Sequence, residues 1–407
     1  MSDLDRRGFL RGAAIGSAAA AASVIAGHTG SDDRSEDVHT TVGAPFHGEH
    51  QSGIVTPRRA STAVIALDLT TRTRAEFKEL LRTLTDRVRF LTSGGVPENP
   101  GFSSPPTDTG ILGPDIPSDG LTATLGLGSS VFDARFGLAD RKSKYLRPMD
   151  TFPNDSLDRA QCDGDLVLQL SAHHPDTVVH ALRDITRSTG GAMQPRWRID
   201  GAIAPPRPSG APRNYFGFKD GTANPDVTDA ALMNSLVWVG PDAGEPGWAT
   251  GGTYQVVRII RMLTEFWDRV SASEQEQMIG RRKDTGAPFT GRKETDIPNY
   301  DNDPAGDATP LSAHIRVANP RTSRTQENRI LRRGFNYDRG IDSNGNLDMG
   351  LVFTAYQQDL DRQFVTIQKR LADEPMVDYI SPVGGGYFFV LPGVRNDSDW
   401  FGSGLFA

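Results

Sequence analysis

At 407 residues, 37% hydrophobic and 23% charged, the chain has the composition of a globular protein and exceeds the usual size of one hydrophobic core, so two domains of roughly 170 to 200 residues are expected. A formal net charge of -7 disfavours a nucleic-acid partner, because phosphate binding needs a concentrated basic surface. The single cysteine, Cys162, excludes an intramolecular disulfide, a thiolate metal cage and a Cys-x-x-Cys redox pair.

Residues 5–11 read Asp-Arg-Arg-Gly-Phe-Leu-Arg, and residues 12–27 form a weakly apolar stretch of mostly Ala, Gly and Ser. That stretch falls short of the roughly 20 strongly apolar residues that a bilayer span requires. The pattern is that of a twin-arginine signal over residues 1–30. It predicts export by the twin-arginine translocation machinery to a periplasm or the cell exterior. No cysteine follows the stretch to carry a lipid, so no stable membrane anchor is expected. The route carries folded chains, often with a cofactor inserted beforehand, which suits a chain without disulfides.

Residues 31–53 are polar and acidic with scattered histidines, a linker turning into an ordered arm. Residues 63–69 (AVIALDL) predict a buried strand, and 74–91 a helix with Phe77, Leu80, Leu81, Leu84, Val88 and Leu91 on one face. The Gly- and Pro-rich run 94–117 is loop. Strands are predicted over 121–128, 164–172 and 193–203, with a helix over 175–187. A second set begins near residue 251, with strands over 253–263, 347–357 and 386–391 and helices over 264–280 and 359–371. Strands and helices interleave without the strict alternation of a parallel sheet. The fold class expected is α+β with mostly antiparallel sheets and peripheral helices, in two domains spanning 54–240 and 241–407.

Three segments carry candidate chemistry. Residues 214–225 (NYFGFKDGTANP) place Asp220 between glycines that let the backbone approach a ligand, with Phe216 and Phe218 near enough in sequence to desolvate it. An Asp-Gly pair alone reads first as a turn with a surface carboxylate; the whole dodecamer is far more specific. His314, in 311–321 (LSAHIRVANPR), stands in a mixed apolar and basic stretch before an Asn-Pro turn. A lone histidine there is by default a core or hydrogen-bonded residue; as a haem ligand it needs one free imidazole nitrogen and an acceptor for the other. In 329–338 (RILRRGFNYD), Arg332 and Arg333 read either as a solvated pair or as one inward and one outward arginine, since neighbours in an extended segment face opposite ways. An inward arginine needs an anionic partner.

Together these blocks resemble the dye-decolorizing peroxidases, in the branch that includes the deferrochelatases. GFKDGTANP matches that family's Gly-x-x-Asp-Gly signature, while AHIRVANPR and RILRRGFNYD resemble its proximal-histidine and distal-arginine blocks in the same order. Residues 45–54, 161–165 and 350–360 also look like family blocks, so the likeness runs from about residue 45 to the C-terminus. It implies two ferredoxin-like domains, the first carrying the GFKDG motif and the second binding one haem b. His314 would be the axial iron ligand, with Asp220 and Arg332 on the distal side where hydrogen peroxide binds. Gly221, Thr222 and Ala223 would approach the haem edge, Asn319, Pro320 and Arg321 would lie beside a propionate, and Phe353 and Leu351 would shape the distal pocket. The carboxylate behind His314 is assigned to Asp378, with Glu374 as runner-up, and Arg333 to solvent or a propionate.

In such a site Asp220 would shuttle a proton and Arg332 would stabilise the leaving anion. A carboxylate shuttle suits acidic operation, because an exposed Asp titrates near pH 3.9. Electron donors would be dyes, phenolics or other one-electron reductants, docked at the surface when bulky; Trp197, Trp267, Tyr337 and Tyr387 read first as packing residues. Self-association is left open. One alternative keeps the haem and changes the task to haem-iron recovery or haem handling. Another is a non-haem protein whose His47 and His50 take up a metal.

Overall fold

The computed structural model describes residues 43–407; the signal and the start of the linker lie outside the described residues. The first half contains β1 (Ser61–Leu69), α1 (Arg74–Ser93), β2 (Thr122–Gly128), β3 (Leu166–Ala172), α2 (Pro175–Ser188) and β4 (Met193–Ala202). Helix α1 begins in a capping box, with the Thr73 hydroxyl accepting the Glu76 N–H and the Glu76 carboxylate accepting the Thr73 N–H. Its predicted apolar face is buried, each large side chain stabilising by about 1.5 to 3 kcal/mol. The helix stops at Gly94, whose φ of +73° and closeness to the Ile116 carbonyl leave no room for a Cβ.

The second half contains α3 (Ala230–Leu236), β5 (Thr253–Met262), α4 (Thr264–Trp267), α5 (Ala272–Ile279), α6 (His314–Ala318), β6 (Leu331–Arg332), β7 (Phe335–Ile341), β8 (Leu347–Gln357), α7 (Thr366–Arg370) and β9 (Ile380–Val390). Two predicted helices differ from what forms. The run 264–280 breaks into α4 and α5 because Ser271 caps a new helix by accepting the Glu274 N–H. The run 359–371 opens with a wide π turn over Asp361–Val365 before α7. In that turn the buried Gln363 amide donates to the Leu236 and Arg329 carbonyls, tying it to the end of α3 and to the segment before β6.

Every strand pairing is antiparallel. The first half orders its strands β4-β1-β3-β2 and the second β9-β5-β8-β7, with β6 also on β8. This is the split β-α-β arrangement of a ferredoxin-like unit, used twice, as expected. Short seams join the halves, β2 to β9 at residues 126–128 and β4 to β7 at Ala202–Asn336, and the nine strands make one closed sheet. The arm reinforces the first seam. Buried Gln51 donates to the carbonyls of Leu125 and Leu391 at 2.8 Å each and accepts the Leu125 N–H at 2.8 Å.

The interior of the closed sheet is filled from both halves, by Val64, Val167 and Ile199 and by Val257, Val352 and Phe388. The outer face of β1, with Ala63, Ile65 and Leu67, packs in the cluster that includes Phe77 and Leu81 of α1. Residues directly opposite in a ladder share a face. Arg332 pairs with Ala355, so it shares the outer face with Phe353 and Leu351; Arg333, one residue on, faces the interior beside Thr354.

Candidate active site

His314 begins the short helix α6. Its Nδ1 lies 2.9 and 2.7 Å from the two carboxylate oxygens of Glu374, which is 5% exposed. Glu374 precedes the turn Pro375–Tyr379, and the adjoining turn Leu371–Asp373 packs on α6, which brings residue 374 behind the imidazole. The assignment of this role to Asp378 is therefore corrected. Asp378 lies within the next turn and is exposed to solvent. Burial lowers the imidazole pKa, but the charge and hydrogen bond of Glu374 outweigh it, and the net shift is upward. With Nδ1 engaged by the carboxylate, Nε2 is the nitrogen left for a metal. Arg332 and Asp220 are close enough to act on the same imidazole.

Asp220 is presented by a turn built from the aromatic-rich motif. The Asn214 side chain accepts the N–H groups of Phe216 and Phe218 at 3.1 and 3.2 Å, and Gly217 takes φ +84°. Phe216 stacks on Trp267 at 4.4 Å and Phe218 meets the same ring edge-on at 6.2 Å. Both aromatics are thus spent on anchoring the turn against α4. One carboxylate oxygen of Asp220 lies 3.1 Å from Arg332 Nη1, both side chains being partly exposed. Thr222 and Ala223 form the tip of the next turn, which the Asn224 N–H closes onto the Gly221 carbonyl at 3.1 Å.

Two participants were missed. The Asn224 amide donates to the Arg332 carbonyl at 2.7 Å and accepts the Arg332 N–H at 3.1 Å, so the segment that carries Asp220 also holds the backbone of its partner. Its place four residues after Asp220 in the quoted motif was the available signal. Arg58 comes from the segment before β1, donates to the Gly334 carbonyl and covers the Phe335 ring at 5.4 Å. It lines a cleft with Asp220, Leu351, Pro212 and Gly334. Nothing local in TPRRA singled it out.

Arg333 also corrects an expectation. It is 7% exposed and donates to the Thr56 carbonyl at 2.7 Å, facing the sheet interior and not solvent; burial lowers its pKa to about 10. Alternation put the two arginines on opposite faces, but it is Arg333 that the closed sheet buries, while Arg332 stays partly exposed. Phe353 is half-buried with its ring 6.0 Å from Phe364, while Leu351 reaches the cleft.

Beyond α6, the Asn319 side chain accepts the Arg321 N–H at 3.1 Å, and Arg321 takes φ +63°. Arg321 Nε, Arg329 Nε and the Tyr300 hydroxyl are buried with no hydrogen-bond partner among the described residues. Burial lowers the pKa of Arg321 and Arg329, and that of nearby Arg281 to about 10. Buried, unspent cationic donors call for an anionic ligand. With the available imidazole nitrogen of His314, they fit a haem with its propionates.

The two arm histidines are committed separately. His50 stacks on Trp238 at 3.7 Å and bonds the Gly251 carbonyl, whereas His47 lies near Arg89 and Asp397. Among the described residues no group of three His, Cys, Asp or Glu side chains suits a metal ion, and no helix is long and apolar enough to cross a membrane. Trp197, Trp267, Tyr337 and Tyr387 are buried, in keeping with packing.

Known proteins share the sequence pattern and the fold of this chain. The family profile described as Dyp-type peroxidase, N-terminal, matches residues 51–203, and its C-terminal counterpart matches residues 211–395. The chain is 49% identical over 366 residues to a deferrochelatase of Escherichia coli (strain K12), covering 89% of this chain and 86% of the relative. Among solved structures it is similar to a DyP-type peroxidase from Cellulomonas bogoriensis, with 38% identity, TM-score 0.79, and coverage of 89% and 98% of the two chains. It is likewise similar to ferric DtpA from Streptomyces lividans, with 34% identity, TM-score 0.80, and coverage of 90% and 97%.

Proposed function

The chain belongs to the Dyp-type peroxidase family, and from that premise we infer that it acts as a hydrogen-peroxide-dependent haem peroxidase on dyes, phenolics or other one-electron donors. The observation that carries this reading is a pair of charged contacts, Glu374 on His314 and Arg332 on Asp220, with the charges of the second pair reaching the imidazole of the first. When bound, haem b supplies the redox-active iron at which the O–O bond of peroxide is broken.

His314 would hold the iron through Nε2. Glu374 accepts a hydrogen bond from Nδ1–H, fixing the tautomer and making the imidazole a stronger donor. On the distal side, the Asp220 oxygen outside the ion pair accepts a proton from incoming peroxide and returns it to the leaving oxygen. Arg332 steadies the negative charge that builds on that oxygen, and Asn224 keeps its backbone in place. Gly221, Thr222 and Ala223 would border the haem edge; Asn319, Pro320 and Arg321 would attend a propionate, joined by Arg281, Arg329 and Tyr300. Leu351 and Phe353 would wall the distal pocket.

Residues 1–30 serve as a twin-arginine signal, delivering the folded chain to the periplasm or beyond. A second reading, haem-iron recovery, is favoured by the 49% identity to a relative named deferrochelatase. One experiment separates the readings. Haem-loaded protein is mixed with hydrogen peroxide and a phenolic donor, and both porphyrin and donor are analysed. Oxidised donor with intact haem is expected; metal-free porphyrin would support the second reading, and failure to bind haem would overturn both.

A further inference from the structure

Helix α6 is by itself a poor support for an iron ligand. It has five residues, His314–Ala318, and no side chain caps its N-terminus; a helix this short is not stable alone in water. Glu374 orients the imidazole of His314, but the helix that carries it needs an anchor of its own. Successive helical residues turn by about 100°, so Arg316, two residues on, leaves α6 on the side away from the imidazole. Its Nη1 donates to the Asp303 carboxylate at 3.0 Å and to the Thr309 carbonyl at 2.8 Å, and its Nη2 donates to the Asp303 carbonyl at 2.7 Å. The same carboxylate accepts the N–H groups of Ala308 and Thr309 at 3.0 and 2.8 Å, which closes residues 303–309 into a socket for the guanidinium. The guanidinium carbon also lies 4.7 Å from the centre of the Tyr300 ring. Elsewhere along α6, the end of α5 packs so closely that a Cβ on Gly280 would stand 2.7 Å from Ile315 Cγ1 and 3.1 Å from Ala313 Cβ.

We propose that Arg316, seated in the Asp303 socket, is a positioning residue for the haem site: it holds α6 so that His314 Nε2 is aimed at the iron, and it ties that helix to Tyr300 on the propionate side. The proposal rests on the reading of His314 as the iron ligand and deepens it. An exposed ion pair with one contact contributes little and fixes little. The pair here is different, with side chains only 11% and 7% exposed and three acceptors placed around one planar fork, which fixes direction as well as distance. A buried pair also resists partial opening, because parting it leaves an uncompensated charge out of water. Tyr300, covered by the same guanidinium, has a buried hydroxyl with no hydrogen-bond partner among the described residues, and it lies within reach of the charges of Arg321 and Arg281. One side chain therefore joins the helix of the proximal ligand to the group of donors expected at a propionate.

The test uses the full-length protein with Arg316→Gln, Arg316→Lys, Asp303→Asn, and a double variant combining Asp303→Asn with Arg316→Gln. Haem affinity is read from Soret titration of the apoprotein. The iron–imidazole stretching band of the ferrous haem-loaded protein is read by resonance Raman, and circular dichroism of the apoprotein reports the fold. Arg316→Gln weakens haem binding by about tenfold, the lower end of what losing support for a metal-bound histidine costs, and it shifts or broadens the iron–imidazole band. Arg316→Lys, which keeps a charge beside Asp303, recovers part of both. The double variant is no worse than the worse single one, because both changes break the same contact. Unchanged affinity in Arg316→Gln, additive losses in the double variant, or an Arg316→Lys variant as impaired as Arg316→Gln overturns the proposal. So does a weakened affinity with the wild-type band, which marks general destabilisation. If Arg316→Gln does not fold, Asp303→Asn set against Arg316→Lys makes the same comparison. A wild-type protein that binds haem without an iron–imidazole band rejects the reading of His314 itself.

Discussion

Replacing Glu374 tests the proximal half of the site. Glu374 is buried and both its oxygens face His314 Nδ1, at 2.9 and 2.7 Å. Losing the hydrogen-bonded partner of a metal-bound histidine typically costs about 10- to 100-fold in metal affinity. Glu374→Gln retains an acceptor for the Nδ1 proton but removes the charge, so it belongs near the tenfold end. Glu374→Ala leaves a buried N–H unmet and belongs near the hundredfold end. The carboxylate favours ferric over ferrous iron by making the imidazole more electron-rich. If the tenfold loss falls on the ferric state alone, the reduction potential rises by about 59 mV. Haem titration of the apoprotein by Soret absorbance gives the affinity, and spectroelectrochemistry gives the potential. Exposed Asp378→Asn serves as the control and leaves both at wild-type values. Glu374 variants within twofold of wild type in affinity, with an unmoved potential, would refute the reasoning.

The same pair predicts a pH dependence. The folded pKa of His314 is raised, so in the apoprotein the charged pair stabilises fully below the ordinary imidazole value of about 6.5 and is lost as pH rises through the higher folded value. Iron must displace that proton, so haem affinity rises over the same window, and Glu374→Gln flattens both trends; thermal unfolding and haem titration against pH check this, and a Glu374→Gln apoprotein with the wild-type profile contradicts it. His314→Ala loses stoichiometric haem loading, and a normal Soret band in that variant removes His314 from the site. Arg332→Leu keeps its haem but slows the peroxide reaction by on the order of 10²-fold, the scale of one lost charge-stabilising donor; an unchanged stopped-flow rate rejects the role. Phe216→Ala, at a 2%-exposed ring stacked on Trp267, destabilises by about 3 to 5 kcal/mol in denaturant unfolding, and a loss under 1 kcal/mol counts against the anchoring of the Asp220 turn.

Much of the architecture was legible in consecutive residues. The buried face of α1, strands β1, β3 and β8, and the long loop 94–117 follow from periodicity and from Gly and Pro placement, which are properties of a short window of chain. The helix predicted over 264–280 failed at Ser271, where a capping hydroxyl competes with helix continuation, a local cue that apolar spacing overrides on paper.

The sequence by itself supplied the three chemistry-bearing blocks and, through their resemblance to a family, the candidates His314, Asp220 and Arg332; read residue by residue, each had an ordinary structural explanation. Only the tertiary structure decided what stands next to them. Sheet closure carries Arg58 from the first half across to Gly334 and turns Arg333 into an interior residue. Packing of the turn after α7 on α6 selects Glu374 over Asp378. These choices depend on which faces meet across large separations in the chain, and an unpaired charge becomes costly, or useful, only once such a meeting has removed the water around it.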